Sequence, residues 1–177
     1  MTDGDTWVFA YGSLMWRPGF DYLEESPARL YGYHRGLCVY SNVYRGTPEK
    51  PGLVLGLDRG GSCLGRAFRV AAGHWQTVRD YLYAREMIND VYRPTFLKVR
   101  LEDGRRLEAY AFVARRDHVQ YTGHLSPEQM LPWVLQGHGK GGSCLDYVEN
   151  TIAHLDEMGI PDGPLHKVLT LAKESIG

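Results

Sequence analysis

Two short stretches of the chain carry residue types suited to binding and proton transfer on a small ligand. The first is a loop of sequence YGSLMW, Tyr11–Trp16, which follows the apolar run Trp7–Ala10. An apolar run stopped by Gly-Ser predicts a buried strand that opens into a tight loop. Because Gly12 has no Cβ, the amides of Gly12, Ser13 and Leu14 can approach a ligand and form a cradle for a carboxylate. An ordinary strand-to-loop turn is the alternative explanation.

The second stretch ends in Glu86, whose spacing from Trp75 nearly completes whole turns of a helix at ~100° per residue. The same spacing places four side chains on one helical face: Trp75, Val78, Leu82 and Glu86. Burial on that face is expected to raise the glutamate pKa from ~4.3 towards neutrality, where a carboxyl group can both accept and donate protons. A structural ion pair with Arg85 or Arg93 is the alternative.

Other candidate residues have weaker support. Arg45 lies in the Pro- and Gly-rich segment Tyr44–Gly52, and its planar guanidinium is predicted to bind a substrate carboxylate, although many loop arginines are simply solvated. Segment 137–143 has the composition of a phosphate loop but lacks the G-x-x-x-x-G-K-[ST] order, so a flexible lid or a turn is predicted there. Ser13 stands outside a G-x-S-x-G elbow, which favours hydrogen bonding over a nucleophilic role.

The composition favours a small molecule over a polymer or a membrane as the partner. The 177 residues carry 20 basic and 21 acidic side chains, a formal net charge of −1, so no nucleic-acid or anionic-membrane partner is expected. No window approaches the run of about 18 apolar residues that spans a bilayer, and the start lacks the basic region of a signal peptide. A cytoplasmic location is therefore expected.

The length and the chemistry-bearing side chains set further limits. A chain of this size predicts one domain, residues 1–177. The three cysteines, Cys38, Cys63 and Cys144, are odd in number and widely spaced, which favours reduced structural thiols over disulfides or a zinc site. The seven histidines form no H-x-x-x-H or comparable ligand set, so no metal site is predicted.

Strand signals dominate the first half of the chain and helix signals the last third. Strands are predicted at Trp7–Tyr11, Gly36–Tyr40, Leu53–Leu57 and Gly65–Val70, followed by a hairpin of Phe96–Leu101 and Leu107–Val113 around Asp103-Gly104. Helices are predicted at His74–Glu86, after the caps Ser126 and Ser143 with a stop at Gly159, and from Asp162 to about Ser175. This order predicts an α+β domain with a small, mostly antiparallel β-barrel or sheet flanked by helices.

Six motifs together resemble those of the ChaC-like gamma-glutamylcyclotransferases. In chain order they are YGSLMW at 11–16, YRGTPE at 44–49, PGLVLGL at 51–57, GGSCLG at 60–65, YAREM at 83–87 and GGSCLDY at 141–147. The resemblance implies that the loop of Tyr11, Gly12, Ser13 and Leu14 holds a γ-glutamyl group and that Glu86 is the acid–base catalyst. It also implies a gamma-glutamylcyclotransferase-like fold.

The reaction implied by the resemblance is cleavage of glutathione into 5-oxoproline and cysteinylglycine by attack of the substrate's own α-amine on its γ-carbonyl. No enzyme nucleophile, cofactor or metal is then expected. One departure concerns the residues after the glutamate, where some family members have Lys-Gly-Gly-Tyr and this chain has Met87–Tyr92. Another γ-glutamyl amine or dipeptide as substrate, and a non-catalytic γ-glutamyl-binding module, stay open as alternatives.

Overall fold

The computed structural model describes residues 4–87 and 90–177. Five strands form a closed barrel in the order β1-β3-β2-β4-β5. They are β1 (Thr6–Ala10), β2 (Glu24–Ser41), β3 (Gly52–Val70), β4 (Tyr92–Leu101) and β5 (Arg106–Ala114). Four helices accompany them: α1 (Trp75–Glu86), α2 (Pro127–Gln136), α3 (Cys144–Glu157) and α4 (Gly163–Ile176). The predicted α+β class with a small β-barrel is confirmed.

In the barrel, β1 with β3, β2 with β4 and β4 with β5 pair antiparallel, whereas the closing pair of β1 and β5 is parallel. β1 runs antiparallel to β3, with Thr6 opposite Val70, and parallel to β5, with Trp7 opposite Ala109. β4 and β5 form the hairpin that the Asp-Gly signal predicts, and Gly104 at its turn has a φ of +94°. Because a left-handed φ strains residues with a Cβ, glycine suits this turn.

The contacts divide the chain into two compact units, one containing the described residues up to Arg35 and Leu57–Arg115, the other Gly36–Gly56 and Arg116–Gly177. Strands β2 and β3 contribute residues to both. The prediction of a single domain over residues 1–177 stays a prediction. None of the helices in the described part of the chain is both long and apolar enough to cross a membrane.

The first unit is organised around the interior of the barrel. Inward-facing side chains of all five strands form its core, including Phe9, Leu30, Leu57, Val99 and Ala111. The first half of β2, which the sequence patterns missed, alternates buried Ala28 and Leu30 with exposed Arg29 and Tyr31. That alternation is typical of a strand with one face against a core.

Strand β3 joins two segments that the sequence analysis separates, Leu53–Leu57 and Gly65–Val70. Between them lie Gly60 and Gly61, with φ values of +105° and +69°. Positive φ at glycines inside a strand is typical of a bulge, which bends the strand without ending it. The glycines therefore interrupt the local pattern but not the strand.

The second unit contains α2, α3 and α4, which pack on one another. Their starts match the predicted caps. Ser126 Oγ accepts from the Gln129 N–H at 3.2 Å, and Gln129 Oε1 accepts from the Ser126 N–H at 2.9 Å, which completes a capping box. The Ser143 and Asp162 side chains accept in the same way from the third residue of their helices. All three cysteines are buried and free.

Candidate active site

Glu86 is the last residue of α1, at the end of the helical face that the sequence spacing predicts. Val78 and Leu82 on that face are buried, while Trp75 and Glu86 are half-buried. The buried side chains of Val78 and Leu82 fix the rotation of the helix, because this face is the one removed from solvent. The glutamate therefore lies on the inner side of the helix end with part of its surface open to solvent.

The electrostatic setting of Glu86 is dominated by burial. Burial raises the pKa of the Glu86 carboxyl above its ordinary value of 4.5, and the positive charge of Arg85 opposes this in part. Among the described residues no hydrogen bond or ion pair holds the carboxylate: the side-chain hydrogen bonds of Arg85 go to other groups, and Arg93 is exposed on β4. A carboxyl group with a raised pKa and available oxygens is suited to take and return protons.

The loop after β1 is a single 3₁₀ turn, Ser13–Met15. Gly12 precedes it with φ −135° and ψ −133°, and its carbonyl accepts from the Met15 N–H at 2.9 Å. Leu14 is buried and anchors the turn, while Ser13 is exposed. The N–H groups of Ser13 and Leu14 open the turn, so they have no carbonyl partner within it. These amides are the donors that the predicted cradle requires.

Two arginines hold this loop, a role that sequence reasoning missed. Arg35 is buried, and its Nε donates to the Tyr11 carbonyl at 2.7 Å. Arg85 Nη2 donates to Ser13 Oγ at 2.8 Å, and its Nη1 donates to the Arg17 carbonyl at 2.9 Å. Arg85 is the residue before Glu86, so the helix end that carries the predicted catalyst is tied to the predicted loop through Arg85.

Arg45 lies in the second unit and is anchored there. Its Nη1 donates to the Ser143 carbonyl at 3.2 Å, and its guanidinium carbon lies 5.4 Å from the centre of the Tyr147 ring. Its backbone N–H donates to Ser41 Oγ at 3.0 Å. A guanidinium has five N–H donors, so these contacts leave donors for an acidic ligand. The role of Arg45 as a carboxylate ligand stays a prediction.

Segment 137–143 contains two short antiparallel strands, His138–Gly139 (β6) and Gly142–Ser143 (β7), joined by a tight turn. The Lys140 N–H donates to the Val43 carbonyl and the Gly141 N–H to the Tyr44 carbonyl, both at 2.8 Å. Of the two predictions for this segment, the turn is therefore the structure adopted.

A cavity of about 570 Å³ lies beside the first half of α1 and is lined in part by Val78. Its lining includes Gly19, Phe20, Asp21, His74, Thr77 and Tyr81. None of the predicted site residues belongs to this lining. Within the described ranges no three His, Cys, Asp or Glu side chains are grouped so that they could hold a metal ion. The part of the sequence that departs from the resemblance includes residues 88 and 89, which lie outside the described residues.

Comparison with known proteins gives consistent matches along nearly the whole chain. A family model described as ChaC-like protein matches residues 6–175. An Escherichia coli protein named glutathione-specific gamma-glutamylcyclotransferase is 31% identical over 172 residues, which cover 97% of this chain and 74% of the relative. Human glutathione-specific gamma-glutamylcyclotransferase 1 is 32% identical over 154 residues, covering 82% of this chain and 69% of that protein.

A solved structure matches the fold. The crystal structure of a yeast gamma-glutamyl cyclotransferase specific to glutathione superimposes with a TM-score of 0.85 at 21% identity, covering 97% of each chain. At this identity the likeness concerns the fold alone. It agrees with the barrel and helices described above.

Proposed function

Because the chain belongs to the ChaC-like protein family, we propose that it is a gamma-glutamylcyclotransferase that cleaves glutathione into 5-oxoproline and cysteinylglycine. The single observation that carries the mechanism is the position of Glu86, half-buried, with a raised pKa, next to the arginine that holds the Ser13–Met15 turn. Relatives that carry the same activity in their names support the substrate assignment.

The reaction is a ring closure within the substrate. The α-nitrogen of the γ-glutamyl group attacks the γ-carbonyl carbon, a carbon–nitrogen bond forms to close the five-membered ring, and the amide bond to cysteine breaks. The attacking nitrogen loses two protons and the departing nitrogen gains two, so the enzyme must move protons without a net change. Since both reacting groups belong to one molecule, holding it folded supplies most of the proximity advantage.

Glu86 is proposed to carry one proton from the attacking to the departing nitrogen, and the second proton of each nitrogen is exchanged with solvent. As a carboxylate it removes a proton from the attacking nitrogen, and as a carboxylic acid it returns one to the departing nitrogen. Burial supports both steps because a pKa above 4.5 brings the two forms closer in energy at neutral pH. Neither a metal nor a cofactor takes part in the proposed chemistry, because the nucleophile belongs to the substrate.

The turn after β1 is proposed to bind the γ-glutamyl group. The Ser13 and Leu14 amides, with the conformation that Gly12 permits, would donate to its α-carboxylate or to the oxygen of the γ-carbonyl as charge develops there. Tyr11, whose carbonyl accepts from the buried Arg35, lies just before this turn in the chain. Arg45 stays the predicted ligand of a substrate carboxylate, and a cytoplasmic location stays a prediction.

A panel of γ-glutamyl compounds tests the proposal. Wild-type protein is incubated with glutathione, γ-glutamyl dipeptides and a γ-glutamyl amine, and 5-oxoproline is quantified by mass spectrometry to give kcat/KM for each. We expect the highest kcat/KM for glutathione. A higher value for another compound would reassign the substrate. Binding of glutathione without 5-oxoproline from any compound would favour a non-catalytic binding module.

A further inference from the structure

Arg85 makes more contacts with the loop after β1 than any role as a partner for Glu86 requires. Its Nη2 donates to Ser13 Oγ at 2.8 Å, and its Nη1 donates to the Arg17 carbonyl at 2.9 Å and lies 3.5 Å from the Pro18 carbonyl. Both branches of the guanidinium are thus engaged by one loop. Ser13 begins the 3₁₀ turn, and at its other end the Arg17 N–H donates a hydrogen bond to the Ser13 carbonyl at 2.8 Å.

A second contact fixes the arginine from its own helix. Arg85 Nη1 donates to the Tyr81 hydroxyl at 2.9 Å, one helical turn earlier. Tyr81 packs over Gly19, where a Cβ would overlap the tyrosine hydroxyl and where φ is +74°. A glycine is therefore needed for Tyr81 to reach this position. The guanidinium is held between a tyrosine of α1 and the two ends of the loop.

We propose that Arg85 is a positioning residue that couples the Ser13–Met15 turn to the end of α1, so that the loop amides and the Glu86 carboxylate keep one geometry. The inference rests on the proposed function, because that geometry matters only if the amides bind the group whose protons Glu86 moves. Arg85 contacts no reacting atom in this account. A rigid planar group with several donors suits such a link better than a flexible ammonium.

The charge of Arg85 has a separate effect from its hydrogen bonds. Among the described residues Arg85 is the charged group that acts on Glu86, and it holds the glutamate pKa below the value that burial alone would produce. Arg85→Gln removes both the charge and the planar donor group, whereas Arg85→Lys keeps the charge. Comparing the two variants separates positioning from electrostatics.

The test combines hydrogen exchange with steady-state kinetics on the full chain. Wild type, Arg85→Lys, Arg85→Gln and a control, Arg100→Gln on the exposed face of β4, are first matched for folding by thermal denaturation. We expect the hydrogen-bonded amides of residues 15–17 to lose about tenfold protection in both Arg85 variants and to keep it in the control. We expect kcat/KM to fall by about 10- to 100-fold in both, since small misplacements of reacting groups have effects of that size.

The pH profile distinguishes positioning from a general loss of structure. The acidic limb of kcat/KM is expected to move to higher pH in Arg85→Gln and to stay near the wild-type position in Arg85→Lys. Unchanged protection of amides 15–17, or unchanged kcat/KM, in Arg85→Gln overturns the inference. A wild-type protein without turnover overturns the proposed function instead, and the exchange data then show whether the link itself exists.

Discussion

Two glycine-containing loops of this protein are held in opposite ways. The loop after β1, in the first unit, is held by side chains: Arg35 on its first carbonyl and Arg85 on Ser13 and Arg17. The loop that carries Arg45, in the second unit, also receives a side-chain contact from Ser41, but it is held chiefly by close packing of its backbone. There a Cβ on Gly46 or Gly52 would overlap neighbouring main-chain atoms.

The two loops differ in whether their backbone amides must stay free for a ligand. A loop that must present free amides to a ligand cannot use those amides for its own support, so side chains from elsewhere must hold it. Close backbone packing gives a loop rigidity but makes it intolerant of any added atom. We therefore expect replacement of the polar side chains that hold the first loop to lower activity. Replacement of glycines in the second loop by larger residues should instead lower the free energy of unfolding.

The largest effect is expected at Glu86, on the catalytic side of the comparison. Glu86→Gln removes the proton carrier and keeps the size of the side chain, so kcat should fall by about 10²- to 10⁴-fold. Initial rates of 5-oxoproline formation measure the change. Glu102→Gln, at an exposed position in the hairpin turn, is the matched control and should keep wild-type rates. Rates within a factor of two for both variants would remove Glu86 from the mechanism.

Gly46→Ala tests the packed loop. The new methyl group would overlap the Gly52 nitrogen and the Ser41 carbonyl oxygen, and we expect a loss of about 2–3 kcal/mol in the free energy of unfolding. Urea denaturation measures it. Gly163→Ala is the control because nothing lies within 4 Å of a Cβ there. Equal stability of the two variants would mean that the loop is not held by close packing.

Glu86→Gln should also stabilise the protein at neutral pH. The folded-state pKa of Glu86 is raised by burial above 4.5, so stability is highest below that ordinary value and falls as pH rises through the folded pKa. An amide carries no charge at any pH, so the variant should be more stable than wild type at pH ~7, and this gain should disappear as the pH falls to ~4. A gain that is the same at both pH values would contradict the assigned cause.

The smallest effect is expected at His166, in the second unit. Its Nδ1 lies 2.7 Å from the Asp162 carbonyl and its Nε2 lies 2.8 Å from Asp156 Oδ1. The hydrogen bond to the Asp162 carbonyl, and to a smaller extent the one to the Asp156 carboxylate, raises the pKa of His166 above 6.5. This stabilisation is complete below the ordinary pKa and is lost as pH rises through the folded value.

Solvent screening keeps that contribution below about 1 kcal/mol. Thermal denaturation of His166→Gln from pH ~5 to ~9 should therefore show a deficit against wild type that shrinks as pH rises. His124→Gln, an exposed control in the same unit, should show no such trend. A deficit that grows with pH would mean that the imidazole stabilises the protein in its neutral form.

Local signals explain what could be predicted from the sequence. The caps at Ser126, Ser143 and Asp162, the stop at Gly159 and the hairpin at Gly104 depend on neighbouring residues alone, and all are found as expected. The face that ends in Glu86 is equally local, because helical spacing determines it.

Features that depend on distant contacts could not be predicted. The first half of β2 contains Pro27 and Gly32, which weaken a strand pattern until pairing with β4 decides the outcome. The contact between Arg85 and Ser13 joins residues 72 positions apart. Sequence spacing placed Arg85 only beside Glu86, so it indicated an ion pair instead of a link to the loop.

The role of Glu86 is tested by incubating wild type and Glu86→Gln, matched for folding, with glutathione and quantifying 5-oxoproline and cysteinylglycine together over time. We expect both products in equal amounts from wild type and at most about a hundredth of that rate from the variant. Equal amounts of both products at equal rates from the two proteins would contradict it.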